Sequence, residues 1–310
     1  MSLIRTGYDV LKDTFSGSTE AHKRVILVGT RGSSKTTALG CLSLTCDIKS
    51  LSDPNFSAFI DEKTSGILQV PSDLCMGRFP EATPPGWLYE ADMIMTKKGR
   101  FGKKTVVIPF CETAGEDMEA LIGPHSQSIY QRHTTYHEAR QLTEYICNSH
   151  GYILAVPVPR ARIKNGQPVE HEPDVLLQDP DVNIRRILAA IFRYKRQSKS
   201  PDVEGIAVLL TKYDMANVYC KAKGMDLYQR EGATRFLHTY FRQTTSLLKH
   251  YGMEKVQFFP VHVQTYKKEL PDGDVEYTNQ IMVNPEDNLP IYSRDSYLSL
   301  IDWILETFAK

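Results

Sequence analysis

The 310-residue chain has no surplus of charge of either sign: Lys and Arg number 37, and so do Asp and Glu. A bulk electrostatic pull toward nucleic acid or an anionic membrane is therefore not expected. Long apolar runs are missing as well. The longest lies around Tyr152 to Val158, far short of the roughly 20 residues a bilayer span demands, so no transmembrane segment is expected. The stretch Met1 to Phe15 lacks an apolar centre of secretory type, and no signal peptide is read in it. The 6 cysteines, at 41, 46, 75, 111, 147 and 220, form no C-x-x-C pair. Reduced, mostly buried thiols of a cytoplasmic protein are expected instead of a disulfide framework. There is no repeat at solenoid periods, and no Gly/Ser linker divides the chain.

What is present is ordinary globular material, with 41% apolar and 24% charged residues and ample length for a core. Apolar strands alternate with amphipathic helices. Lys23 to Gly29 is a continuous apolar run of the kind buried on both faces of a sheet. Thr36 to Cys46 reads as a helix. Trp87 to Thr96 and Thr105 to Phe110 read as strands joined by the polar turn KKGRFGKK, a hairpin signature. Further strands are expected at Gly151 to Pro159, Gly205 to Leu210 and Val256 to Val263. Helices are expected at Ile184 to Tyr194, within Leu227 to Tyr251 (one long or two), and at Tyr297 to Phe308 with Ser293 or Asp295 as cap. This alternation predicts an α/β three-layer sandwich, its sheet mostly parallel with one antiparallel hairpin edge. Residues 1–22 read as an N-terminal extension and 23–310 as one domain. Ser50 to Pro85, Arg160 to Asp181 and Tyr266 to Pro290 read as loops or insertions.

The strongest local signal is Gly29-Thr30-Arg31-Gly32-Ser33-Ser34-Lys35-Thr36-Thr37, which follows a buried strand and opens a helix. Successive backbone N–H groups in such a turn form a concave anion site, and the helix N-terminus adds the positive end of its dipole. Lys35 then reaches the outer phosphates as a point charge, and the Thr36 hydroxyl is placed for Mg²⁺. Ser34 stands where such loops carry a third glycine. Serine fits the turn if its φ is negative there. Two more motifs end strands further along: Cys111-Glu112-Thr113-Ala114-Gly115-Glu116 and Thr211-Lys212-Tyr213-Asp214. Ligands of open α/β sheets sit beyond the carboxyl ends of strands, so loops in this order can converge on one nucleotide.

With these motifs in this order, the sequence resembles the P-loop GTPases of the Ras-like, translation-factor-related class. The resemblance runs from about Lys23 to Val263 and includes the closing helix. It implies a P-loop NTPase fold, GTP or GDP as ligand and Mg²⁺ as cofactor. It implies that Lys212 packs its stem along the base and that Asp214 accepts hydrogen bonds from guanine, with Thr211 replacing the usual Asn. Gly115 would donate its N–H to the γ-phosphate as the pivot of switch two. Glu112 would stand in for the Asp that holds Mg²⁺ through water. The switch-one Thr is Thr83, with Thr64 as competitor. A base-contacting loop follows the last core strand, where the N–H of His262 or Val263 would meet the guanine O6.

Three positions depart from the family: Arg31 beside the γ-phosphate, Glu116 where Gln orients the attacking water, and Glu112 at the metal. Arg31 reads either as a built-in cation for transition-state charge, as a side chain that crowds out water or a partner's Arg, or as a solvated residue on the loop rim. His133 and His137 are spaced i, i+4, but no third metal ligand stands at a fitting distance. They read as polar residues of an enlarged switch-two helix, Ile129 to Asn148. The expected function is a GTP-binding molecular switch with slow intrinsic hydrolysis, in which Lys35, Arg31, Gly115 and Glu116 carry the chemistry. Its two loops report nucleotide state to a protein effector or regulator. The alternatives are a guanine-nucleotide scaffold without turnover and an ATP-using P-loop enzyme. Nothing in the sequence fixes an oligomeric state.

Overall fold

The computed structural model describes residues 23–29, 32–63, 66–81, 88–99, 102–113, 145, 148–157, 161–164, 167–170, 180–197, 202–212, 220–221, 223–252, 256–271 and 275–309. In chain order the elements are β1 (Lys23–Gly29), α1 (Lys35–Ser52), β2 (Phe56–Glu62), α2 (Gln69–Cys75), β3 (Leu88–Gly99), β4 (Gly102–Thr113), β5 (Gly151–Pro157), β6 (Ala161–Lys164), β7 (Gln167–Glu170), α3 (Pro180–Gln197), β8 (Gly205–Thr211), α4 (Arg230–Tyr240), α5 (Arg242–Tyr251), β9 (Val256–Pro260), β10 (Thr265–Glu269), β11 (Val275–Ile281) and α6 (Arg294–Phe308).

A seven-stranded sheet runs β2-β3-β4-β1-β5-β8-β9. β1 is parallel to both neighbours, β4 and β5, and the parallel order continues through β8 to β9. Only β3 runs against its neighbours. The fold is therefore α/β with a mostly parallel sheet. β1 lies inside this sheet with its residues from Val25 to Gly29 all buried. Alternate side chains point to opposite faces. Val25 and Leu27 join one apolar cluster with α1, α2 and α6, while Ile26 and Val28 join a second with α3, α4 and α5. That is why KRVILVG is apolar throughout and does not alternate.

The hairpin expected from KKGRFGKK forms between β3 and β4, paired from Leu88↔Thr113 to Gly99↔Gly102. It does not end the sheet, however. β2 pairs antiparallel outside it, from Phe56↔Lys97 to Glu62↔Ala91. The stretch read as a loop, 50–85, thus holds the end of α1, the edge strand β2 and helix α2. Likewise 160–181 holds the β6–β7 hairpin and the start of α3, and 266–290 holds most of the β10–β11 hairpin. Each strand here spans four to seven residues, and β2 buries only Phe56 outright. The described cysteines at 41, 46, 75 and 220 carry no disulfide, and all but Cys75 are buried. None of the described helices is long and apolar enough to cross a membrane.

The two rims of the sheet differ. At the amino ends of β5 and β8, an added Cβ at Gly151 would lie 2.2 Å from the ring of Phe308, and one at Gly205 would lie 2.9 Å from the ring of Trp303 and 3.3 Å from that of Phe308. Lys23 pairs with Glu204 on the same rim, and the Arg24 N–H donates to His150 Nδ1 at 3.2 Å. The carboxyl ends of β1, β4, β5, β8 and β9 open on the other rim, where the strand order reverses about β1.

The Leu227 to Tyr251 stretch is two helices, α4 and α5, broken at Phe241 (φ −126, ψ 54). Phe241 is buried 5.8 Å from the ring of Phe236, which fixes the break in the core. α5 begins without a side-chain cap of its own. Asp181, in the first turn of α3, supplies one: its carboxylate accepts the N–H groups of Gln243 (2.9 Å) and Thr244 (2.8 Å). A buried carboxylate thus satisfies two orphan donors and meets the positive end of a helix dipole. Asp181→Ala is expected to lower stability by about 2 kcal/mol, and Asp181→Asn, which keeps one acceptor oxygen, by roughly half of that. Urea unfolding midpoints measure both, and an unchanged midpoint for the Ala variant removes the capping role.

Candidate functional site

The open rim gathers the loop after β1 with the ends of β5, β8 and β9. Gly29 closes β1 in a space that admits no side chain: an added Cβ would lie 2.5 Å from Ser33 Oγ and 2.9 Å from Ala155 O. Gly32 turns the chain with φ +69, and Ser33 beyond it is fully buried. Ser34 occupies the N-cap position of α1 with φ 58 and ψ 34, the left-handed region. The condition under which serine fits this turn without strain, a negative φ, is not met. The loop demands the geometry of the glycine that Ser34 replaces, at a cost of about 1–2 kcal/mol.

α1 then starts with Lys35. Its Nζ donates to the carbonyl of Gly29 at 3.1 Å, so the lysine folds back over the loop and closes it into a ring. No acidic residue stands in the first turn of α1, and no side chain caps it. No carboxylate of its own therefore competes for the positive end of this helix, and a bound anion can take that place. Thr36 and Thr37 follow, both half-buried.

β8 brings the second motif to the same place. Thr211 is buried, and its hydroxyl lies 3.1 Å from Ser33 O and 3.3 Å from Val156 O. It joins the loop after β1 to the ends of β5 and β8 across 178 residues of sequence. Lys212 follows in the left-handed region, φ 62, half-buried. The 211/212 turn and Lys35 thus share one rim.

The segment after β9 lies beside them. Val261 N–H donates to Leu210 O at 2.9 Å, next to Thr211. The N–H of His262, one of two donors expected to meet a base, already donates to Ser293 Oγ at 2.9 Å. Val263 is the other; it bridges to Tyr292. Ser293 is one of the two caps, with Asp295, expected for the last helix. It does occupy the N-cap position of α6, but its hydroxyl makes no cap bond and serves His262 instead. This positioning contact has no sequence signal apart from a serine ahead of a helix. Burial pushes the His262 imidazole below its ordinary pKa.

β4 ends at Thr113, and its pairing with β1 puts Lys23 opposite Val106. Glu112, next to last in β4, lies toward the carboxyl end of that strand. Thr30, Arg31, Thr64, Thr83, Gly115, Glu116, His133, His137 and Asp214 lie outside the described residues, as does the side chain of Glu112.

No family model matches the chain, and no curated protein matches it. Among solved structures it is similar to Sup35 complexed with GMPPNP, at 8% identity and a TM-score of 0.31, covering 81% of this chain and 41% of that one. It is also similar to the S. cerevisiae Ski7 GTPase-like domain bound to GDP and inorganic phosphate, at 12% identity and a TM-score of 0.34, covering 80% and 44%. The chain spans less than half the length of either.

Two expectations follow from the site itself. Ser34→Gly removes left-handed strain without losing a cap bond, so it should raise the melting temperature by roughly 2–4 °C. A lower or unchanged value would show that the serine side chain contributes an interaction of its own. Burial lowers the pKa of both His150 and His262. The unfolded chain therefore takes up protons near its ordinary value of about 6.5 while the folded chain still resists them. Stability is fully present above that pH and falls as pH drops through 6.5 toward the lower folded values. Urea midpoints at pH 7.5 and 5.5 should fall for the native chain and fall less for His262→Gln.

Proposed function

We propose that the protein is a GTP-binding molecular switch of the P-loop GTPase type with slow intrinsic hydrolysis. The observation that carries this reading is the pair of contacts at one rim: Lys35 Nζ on Gly29 O, and Thr211 Oγ1 on Ser33 O. The first forms an anion cradle at a helix N-terminus. The second sets Thr211, the first residue of the TKYD motif, against the loop after β1, which supports a reading in which phosphates and base of one nucleotide are held together.

In this reading the N–H groups from Thr30 to Thr37 and the Lys35 ammonium hold the phosphates. Lys212 lies along the base and Asp214 accepts from the guanine N1–H and amine, which selects guanine over adenine. Val263 offers its N–H to O6, and His262 does so only if it gives up Ser293. Thr36, Glu112 and Thr83 make up the metal set. A hydroxyl and a carboxylate are hard oxygen donors suited to Mg²⁺; Thr36 lies in the first turn of α1 and Glu112 near the carboxyl end of β4. Bound there, Mg²⁺ neutralises phosphate charge. Gly115 orders switch two on the γ-phosphate, and Glu116 places water less well than an amide would. Arg31 lies beside the γ-phosphate. Order and disorder of the two switch loops would report nucleotide state to a protein partner in the cytoplasm. A scaffold without turnover is the second reading, favoured by the substitutions at 112 and 116.

Titration calorimetry with GTP, GDP and ATP tests the binding. Expected are a guanine preference, loss of binding in Lys35→Ala, and a preference reduced about 10–100-fold in Asp214→Asn, as for loss of charge-assisted hydrogen bonds. Equal affinity for ATP that Asp214→Asn leaves unchanged would refute guanine selection. Phosphate release by the native chain should be slow, below about 10⁻² s⁻¹, and altered by Arg31→Gly. Release that is absent in both favours the scaffold, and fast release unaffected by the substitution discards the role of Arg31.

A further inference from the structure

Away from the rim, α2 ends in a Schellman turn. Gly77 N–H donates to Leu74 O (3.1 Å), and Arg78 N–H donates to Asp73 O (2.9 Å). Gly77 has φ +75, and a Cβ there would lie 3.2 Å from Ile281 O. The turn lays Gly77 and Arg78 alongside β11. Ile281 N–H donates to Gly77 O at 3.0 Å, and Arg78 bridges Gln280 antiparallel. Between this seam and the start of β10 lies a groove of about 730 Å³, lined by Met76, Arg78, Phe79, Tyr266, Gln280 and Val283 among others.

Its chemistry is uneven in an informative way. Met76, Phe79 and Tyr266 are 51%, 38% and 48% exposed, and they are three of the seven large apolar side chains exposed among the described residues. Single exposed apolar residues are ordinary, whereas three around one groove mark a surface that something covers. Among the described residues no acidic side chain lines the groove, and Arg78 is the one charged group; it is exposed and in no ion pair with another described residue. Aromatic side chains, Met and Arg are the types that dominate protein-binding surfaces. A single cation is too little for a nucleic acid or a membrane, both of which need many. It is enough to hold one carboxylate through a bidentate pair.

We propose that this groove docks an extended acidic peptide segment of a partner protein. A large apolar side chain of the peptide lies between Phe79 and Tyr266, and a neighbouring Asp or Glu carboxylate pairs with Arg78. The proposal is independent of nucleotide binding.

Fluorescence polarisation on the full chain tests it, using labelled Gly/Ser peptides that carry one Phe followed by three Glu. Matched peptides with Lys for Glu, or Ser for Phe, are the controls. The acidic Phe peptide should bind at least about tenfold more tightly than either control. Arg78→Glu and Tyr266→Ala should each weaken it about tenfold, and Arg78→Glu should improve binding of the Lys peptide. Both residues are exposed, so urea midpoints should stay put. Absence of binding up to ~1 mM, or binding that survives Arg78→Glu, overturns the proposal. So does retention on phosphatidylserine vesicles, or a concentration-dependent dimer that Tyr266→Ala abolishes, because each assigns the groove another occupant.

Discussion

The Thr211 hydroxyl lies between two carbonyls, Ser33 O and Val156 O, on a residue that is almost wholly buried. The hydroxyl has one proton to share between them, and leaving a carbonyl unmet in the interior costs about 1–3 kcal/mol. One side chain therefore fixes the height of the loop after β1 against the ends of β5 and β8. Everything proposed for the rim depends on this constraint. The loop needs a rigid backing to hold its N–H groups in one direction, and the TKYD turn needs a fixed distance from that loop. Lys35, closed onto Gly29, holds the cradle from its other side.

Much of this was legible in the amino-acid order, for physical reasons. A strand buried on both faces must be apolar at every position, and KRVILVG is. A turn that crowds Ala155 and Ser33 must carry glycine, and Gly29 does. A polar turn with two glycines between apolar runs makes a hairpin, and β3–β4 is one. What stayed hidden has equally plain causes. β2 faces solvent along most of its length, and its Ser and Asp residues look like loop. β6 and β7 span four residues each, too few to show a period. Asp181 reads as loop because its partners are 62 and 63 residues away on another helix.

At the site, the side-chain chemistry was legible and the backbone less so. Lys35 lies over Gly29 and Thr211 lies against Ser33, both on one rim. Ser34 gives no sign in its chemistry that its φ is positive, because only the surrounding loop imposes it. Ser293 was recognisable as a residue that precedes a helix, but its hydroxyl turns away to His262. That choice is made by the tertiary proximity of the segments after β9 and before α6, which no local pattern encodes.

The junction of Phe308 with Gly151 and Gly205 has a consequence for how such a molecule can move. Rings pressed against two bare backbones, Phe308 on Gly151 and Trp303 with Phe308 on Gly205, leave β5 and β8 little slack to slide or tilt at this end. The floor of the sheet behaves as a clamped end, and the strands as cantilevers fixed there. Deformation that starts at the loops is then largest there and dies away toward the floor.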